Sequence, residues 1–186
     1  MKKILVVVDM QKDFVDGALG TAEAIAIVPR VVQKIRQFQG DIFVTFDTHF
    51  ENYMDTAEGK ALPVVHCVKG TPGWQLDGEV AKALEGKAYT AVEKLTFGSK
   101  ELPALIGLAG GEDSSIELMG LCTDICVVSN ALMLKAYFPE IPIFVHADCC
   151  AGVTPASHEA ALATMKMCQI QILGGNDDVQ CRKGKK

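Results

Sequence analysis

The chain of 186 residues carries 18 Lys and Arg against 23 Asp and Glu, a formal net charge of −5, and 49% of its residues are hydrophobic. That balance excludes a disordered polypeptide and argues against a phosphate-binding surface. Seven cysteines, an odd number, make no tidy disulfide framework and point to a reducing compartment.

In chain order, Ile4–Val8 reads as a strand. Lys2 and Lys3 before it imitate a signal peptide, but five apolar residues ending at Asp9 are too few for a secretory segment. No run approaches the ~20 apolar residues of a membrane span. The expectation is a soluble, cytoplasmic protein. Val28–Phe38 places Val28, Val31, Val32, Ile35 and Phe38 on one helical face. A strand at Ile42–Phe46 follows. Asp47–Leu76 is then too long for an ordinary connection and mixes charged residues with Gly and Pro. Tyr89–Glu93 is a weaker strand and Lys100–Leu108 a helix. Ser115–Met119 and Ile141–His146 read as strands around a helix at Asp124–Tyr137. Ala156–Met167 is a helix, and Gln169–Leu173 a last strand before the basic tail Arg182–Lys186. Continuous β-branched strands alternating with helices predict a doubly wound α/β fold on a parallel sheet. No glycine-rich phosphate loop follows any strand, so no nucleotide site comes with the fold.

Ligands of such sheets bind beyond the carboxyl ends of the strands. Those ends carry Asp9, then Asp47-Thr48-His49, then Glu93-Lys94, then Gly120-Leu121-Cys122-Thr123-Asp124-Ile125-Cys126. Cys126 lies at the start of a predicted helix, with Thr123 or Asp124 as candidate caps. The positive end of the helix would lower the thiol pKa, and its free N–H groups could hold an oxyanion. Asp9 could take the thiol proton and Lys94 could balance the charge. The competing reading is a buried structural cysteine. Asp47 and His49, spaced i, i+2 on an extended strand, point the same way. With His66 they form a plausible site for zinc or another divalent transition metal, to which Glu58 or Glu51 could add an oxygen. Cys122 and Cys126 form CxxxC, a weak basis for a redox pair. Cys67, Cys149, Cys150, Cys168 and Cys181 show no metal-binding spacing.

These segments resemble the isochorismatase-like superfamily of cysteine hydrolases, and within it the nicotinamidases. The pieces are VVVDMQKDF at 6–14, FDTH at 46–49, EGKALPVVHCVKGTPGW at 58–74, VEKLTFGS at 92–99 and GLCTDICVVSNA at 120–131. The resemblance implies a six-stranded parallel sheet flanked by helices, in one hydrolase domain over 1–186 with a metal-binding loop insertion at about 47–76. It implies a triad of Cys126 as nucleophile, Asp9 as base and Lys94. It implies a non-proline cis bond between Leu121 and Cys122, with the N–H groups of Cys122 and Cys126 facing the oxyanion. Asp47, His49 and His66 match the metal ligands. Glu58 matches a carboxylate that ligates in some members where others use a further His. Phe14, Leu19 and Phe97 match the lining of the ring pocket; Trp74 falls after the metal segment, not at the aromatic position that some members have before the last metal His, and its role stays open.

The implied activity is hydrolysis of nicotinamide to nicotinate and ammonia through a cysteine thioester, in NAD salvage. The implied cofactor is one divalent ion, Zn2+ before Fe2+ or Mn2+. The expected partner is a small molecule, nicotinamide or a pyrazinamide-like analogue, with no nucleic acid and no membrane; a homo-oligomer stays open. Three alternatives remain. They are an amidohydrolase of the superfamily acting on a ureido or carbamoyl compound, a catalytically silent binding module, and a thiol redox sensor.

Overall fold

Six strands form in the computed structural model, which describes residues 1–110 and 113–174. They are β1 (Lys2–Val8), β2 (Asp41–Asp47), β3 (Thr90–Lys94), β4 (Ser114–Leu121), β5 (Ile143–Ala151) and β6 (Gln171–Leu173). All pairings are parallel, in the order β3-β2-β1-β4-β5-β6. Ile4 through Val8 are fully buried, which requires cover on both faces of the sheet. The helices are α1 (Lys12–Val15), α2 (Ala22–Gln37), α3 (Ala57–Ala61), α4 (Gly78–Leu84), α5 (Leu102–Gly110), α6 (Val128–Tyr137) and α7 (Pro155–Met167), and the main cover comes from α2, α5, α6 and α7. Among the described residues no helix is long and apolar enough to cross a membrane. Cys181 and the tail Arg182–Lys186 lie outside the described residues.

The predicted strands are all present, and the differences lie at the ends. β5 runs on to Ala151, so Cys149 and Cys150 are strand residues. α2 starts six residues before the expected Val28. The Thr21 side chain caps it by accepting from the Ala24 N–H, and Pro29 is carried inside. The segment after β2 is not a featureless loop. It holds single 3-10 turns at Tyr53–Asp55 and Pro72–Trp74 around α3. Such short pieces are stabilised by caps and tertiary contacts rather than by periodicity.

The strand order carries a consequence for function. The chain moves outward from β1 to β3, then returns to place β4 on the other side of β1. The crevice between β1 and β4 is therefore the topological switch point. There Val8 lies level with Gly120. Gly120 has φ +124°, and a Cβ on it would stand 2.1 Å from the Val8 carbonyl oxygen. Only glycine lets the two strand ends approach this closely. Gly120→Ala is expected to cost about 3 kcal/mol, from the positive φ and the clash together. Equilibrium urea unfolding of the two proteins measures it.

Candidate active site

Asp9 is the first residue beyond β1, and it is completely buried. Its φ of +46° is left-handed, a conformation Asp tolerates better than most residues. Thr45 in β2 holds it twice. The Thr45 hydroxyl donates to Asp9 Oδ1 at 2.6 Å and accepts from the Asp9 N–H at 3.2 Å. Oδ2 is thereby left toward Lys94.

Lys94 closes β3 directly opposite Asp47 in register. Its ammonium is 2.7 Å from Asp9 Oδ2, 3.0 Å from Asp47 Oδ1 and 3.4 Å from Cys126 Sγ. Burial works against the charge, but Asp9, Cys126 and Asp47 hold the Lys94 pKa above its ordinary value. Lys94 is thus a fixed cation. Burial raises the Asp9 carboxyl above the usual range; Lys94 pulls against this and Asp47 adds to it.

Cys126 does not stand on a capped helix start. Thr123–Val127 form one widened π turn ahead of α6, closed by the Val127 N–H donating to the Cys122 carbonyl at 3.0 Å. Neither candidate cap serves as one. Thr123 Oγ1 hydrogen-bonds His158 Nδ1 at 2.8 Å, and the Asp124 carboxylate accepts the Val153 N–H. The expected drop in thiol pKa is reversed as well. Burial, and then Asp9, push Cys126 well above the ordinary thiol value. The resting side chain is a thiol that needs a base. The Leu121–Cys122 peptide is cis.

Asp47 also faces away from Lys94. Its Oδ2 is 3.1 Å from His49 Nε2 and 3.7 Å from His66 Nε2, while Glu58 Oε1 is 3.7 and 3.9 Å from the same two nitrogens. One donor atom from each residue lies within 4.8 Å of all the others. A tetrahedral ion with bonds near 2.0–2.1 Å separates its ligand atoms by about 3.3 Å, so these spacings bracket its size. His66 Nδ1 lies 2.7 Å from the Val64 carbonyl, which can only accept. That bond puts the ring proton on Nδ1 and leaves Nε2 free to ligate. Two carboxylates and two imidazoles suit a divalent transition metal, so the cluster is a candidate metal site. Glu51 is exposed and outside it.

His66 reaches this place because Cys67 and Lys69 bridge His49. The His49 N–H donates to the Cys67 carbonyl and the Lys69 N–H to the His49 carbonyl, both at 2.9 Å. Cys67, at φ +46°, donates its N–H to Asp13 Oδ2 at 2.8 Å. Asp13 in turn fills the space where any Cβ on Gly73 would fall, 2.1 Å away.

Cys126 and the donor cluster open onto one cavity of about 790 Å³. Phe14, Leu19 and Phe97 all line it, with Leu62, Leu95 and Val153. Asp9 and Lys94 lie behind its wall, beneath Cys126. Trp74 is elsewhere, donating its indole N–H to Thr48 Oγ1 at 3.0 Å. The described cysteines are free thiols, and burial pushes Cys122 up to about 12.

Several contributors were not picked out from sequence. Thr45 is a hydroxyl inside an otherwise apolar strand, which is a readable signal. Gln11 is fully buried and grips Asp47 at both ends, accepting from its N–H at 2.7 Å and donating to its carbonyl at 2.9 Å. Tyr53 packs edge-on against both His49 and His66.

A doubly wound sheet whose switch point gathers a thiol, a carboxylate and an ammonium defines an α/β protein with a cysteine-hydrolase type of site. More particularly, the chain belongs to the isochorismatase domain family, whose model matches residues 3–176. It is 29% identical over 174 residues to an uncharacterized isochorismatase family protein, PncA, of Bacillus subtilis strain 168, covering 88% of this chain and 93% of that one. Among solved structures it resembles the nicotinamidase/pyrazinamidase PncA from Bacillus subtilis, with a TM-score of 0.80 and 26% identity over 92% of this chain and 99% of that one. It also resembles the pyrazinamidase of Pyrococcus horikoshii in complex with zinc, with a TM-score of 0.78 and 27% identity over 93% and 99%.

Replacing the buried cation leaves two carboxylates facing each other without compensation. Lys94→Met is expected to destabilise the protein by about 3–5 kcal/mol. Urea unfolding at neutral pH gives the value, and a change below 1 kcal/mol (roughly the worth of a surface pair) would refute the balance described.

Proposed function

We propose that the protein hydrolyses nicotinamide to nicotinate and ammonia, the amidase step of NAD salvage. The observation that carries this reading is the shared cavity. The Cys126 thiol, backed by its base and cation, opens onto the same space as a donor cluster suited to a metal ion, which would in turn take a ring nitrogen. The name of the similar Bacillus subtilis structure, a nicotinamidase/pyrazinamidase, supports the same substrate.

A divalent ion held by Asp47, His49, His66 and Glu58 would supply a Lewis acid that anchors the pyridine nitrogen; the zinc complex of the Pyrococcus protein supports zinc. Phe14, Leu19 and Phe97 would flank the ring and exclude water from it. Such positioning over Cys126 can supply several kcal/mol of the barrier. Asp9 takes the Cys126 proton, and Lys94, permanently charged, stabilises both partners of the transfer. The thiolate attacks the amide carbon. The backbone N–H groups of Cys122 and Cys126 receive the oxyanion. Asp9 returns its proton to the leaving nitrogen, which departs as ammonia and leaves a thioester on Cys126. Asp9 then draws a proton from water, whose oxygen attacks the thioester. Nicotinate leaves and the thiol is restored. Pyrazinamide offers the same ring nitrogen and carboxamide, so it belongs to the expected substrate range. A ureido or carbamoyl substrate would leave the donor cluster without a partner.

Ammonia release from nicotinamide by the metal-loaded protein is the direct assay. Cys126→Ala is expected to lower the rate by roughly 10⁴-fold or more while bound metal stays constant. Removal of metal by a chelator should suppress turnover, with recovery on adding zinc. No release from nicotinamide alongside turnover of a non-aromatic carbamoyl compound would overturn the assignment. So would an active Cys126→Ala protein.

A further inference from the structure

The π turn that carries Cys126 is gripped by the helix that follows it. Where the turn runs into α6, the next two polar side chains reach back to its last carbonyls. The Ser129 hydroxyl donates to the Ile125 carbonyl at 2.6 Å, and Asn130 Nδ2 donates to the Cys126 carbonyl at 2.7 Å. Asn130 does more. The same Nδ2 donates to the Phe97 carbonyl at 3.1 Å, and Oδ1 accepts the Ser99 N–H at 2.9 Å. Asn130 is buried, so these bonds do not compete with water. Gly98, between the two tied residues, sits so close to α6 that a Cβ would stand 2.5 Å from the Met133 sulfur.

We propose that Asn130 is a positioning residue with two separable roles: its bond to Cys126 aims the nucleophile, and its bonds to Phe97 and Ser99 place the pocket wall. The segment 97–99 follows β3, the strand that ends in Lys94. A single amide therefore sets the nucleophile turn against the element that brings its cation. This assignment rests on the nicotinamidase reading for its kinetics but not for its geometry.

Substitution by Thr separates the roles. A helical Thr hydroxyl can bond the carbonyl four residues back, here that of Cys126, but is too short to serve Phe97 and Ser99 as well. Asn130→Ala is expected to lower kcat roughly 10- to 100-fold and to raise KM several-fold, the range that follows from misplacing a reacting group. Asn130→Thr should recover most of kcat while KM stays raised. A merely structural residue would instead lower thermal stability and leave kcat and KM unchanged in folded samples, and that result would overturn the proposal. So would a Thr variant whose kcat stays at the Ala level. If Asn130→Ala does not fold, Asn130→Thr with its raised KM and Ser129→Ala with a lowered kcat and native KM carry the test; native values in both would refute it.

Alkylation of Cys126 by iodoacetamide, followed by peptide mass, needs no substrate. Its rate should change in Asn130→Ala, as the sulfur shifts relative to Lys94 and Asp9, and return to the native value in Asn130→Thr. An unchanged rate in Asn130→Ala would contradict the aiming role. If the unaltered protein fails to release ammonia from nicotinamide while these rates still respond, the functional reading fails and the positioning role stands.

Discussion

The Lys94 ammonium is the point on which this structure turns. It is almost fully buried, a position that costs several kcal/mol for an unpaired charge. Two carboxylates offset that cost, Asp9 at 2.7 Å and Asp47 at 3.0 Å, and the Cys126 sulfur lies next at 3.4 Å. These four groups come from four chain segments. The parallel sheet brings them together only because β1 and β2 are neighbours, β3 lies level with β2, and β4 returns beside β1. Any slip in register would strand the ammonium.

Asp47 joins the two halves of the site. One oxygen faces Lys94 and the other faces the imidazoles of His49 and His66. Its carboxyl is held far below the usual range against the pull of burial, by His49 and His66 first and then by Lys94. Its charged form is favoured from both sides. Gln11 clamps its backbone, and Asp13 steadies the residue after His66. The motif from Asp9 to Asp13 thus supports the thiol chemistry and the donor cluster at once. A divalent charge in that cluster would balance Asp47 and Glu58, leaving Asp9 and Lys94 as a neutral pair beneath the thiol.

Much of this was legible in the chain, and the illegible parts share a cause. The β-branched runs marked the strands because burial on both faces leaves little other choice of residue. Reading the residues after each strand led to Asp9, Asp47, Lys94 and Cys126. An argument from a helix start does not give the behaviour of Cys126, because it is local. Burial and Asp9 are contributed by distant segments, and they outweigh it. Thr123 and Asp124 looked like caps for the same reason, yet the turn is a π turn and both side chains bond across to the start of α7 or the residues before it. Asn130 gave little sign of itself. A polar residue between Ser129 and Ala131 reads as one more helix position until Phe97 and Ser99 arrive beside it.

The central claim is that Cys126, kept as a thiol at rest, becomes a nucleophile aimed at a carbonyl held in the shared cavity. Pyridine-3-carbaldehyde keeps the ring nitrogen and the electrophilic carbon but has no leaving nitrogen, so attack must stop at the tetrahedral adduct. With the aldehyde carbon labelled by ¹³C, NMR of the metal-loaded protein is predicted to show a thiohemiacetal signal that is absent from Cys126→Ala. A label that keeps only its free-aldehyde and hydrate signals, or an adduct that persists in Cys126→Ala, would contradict the account.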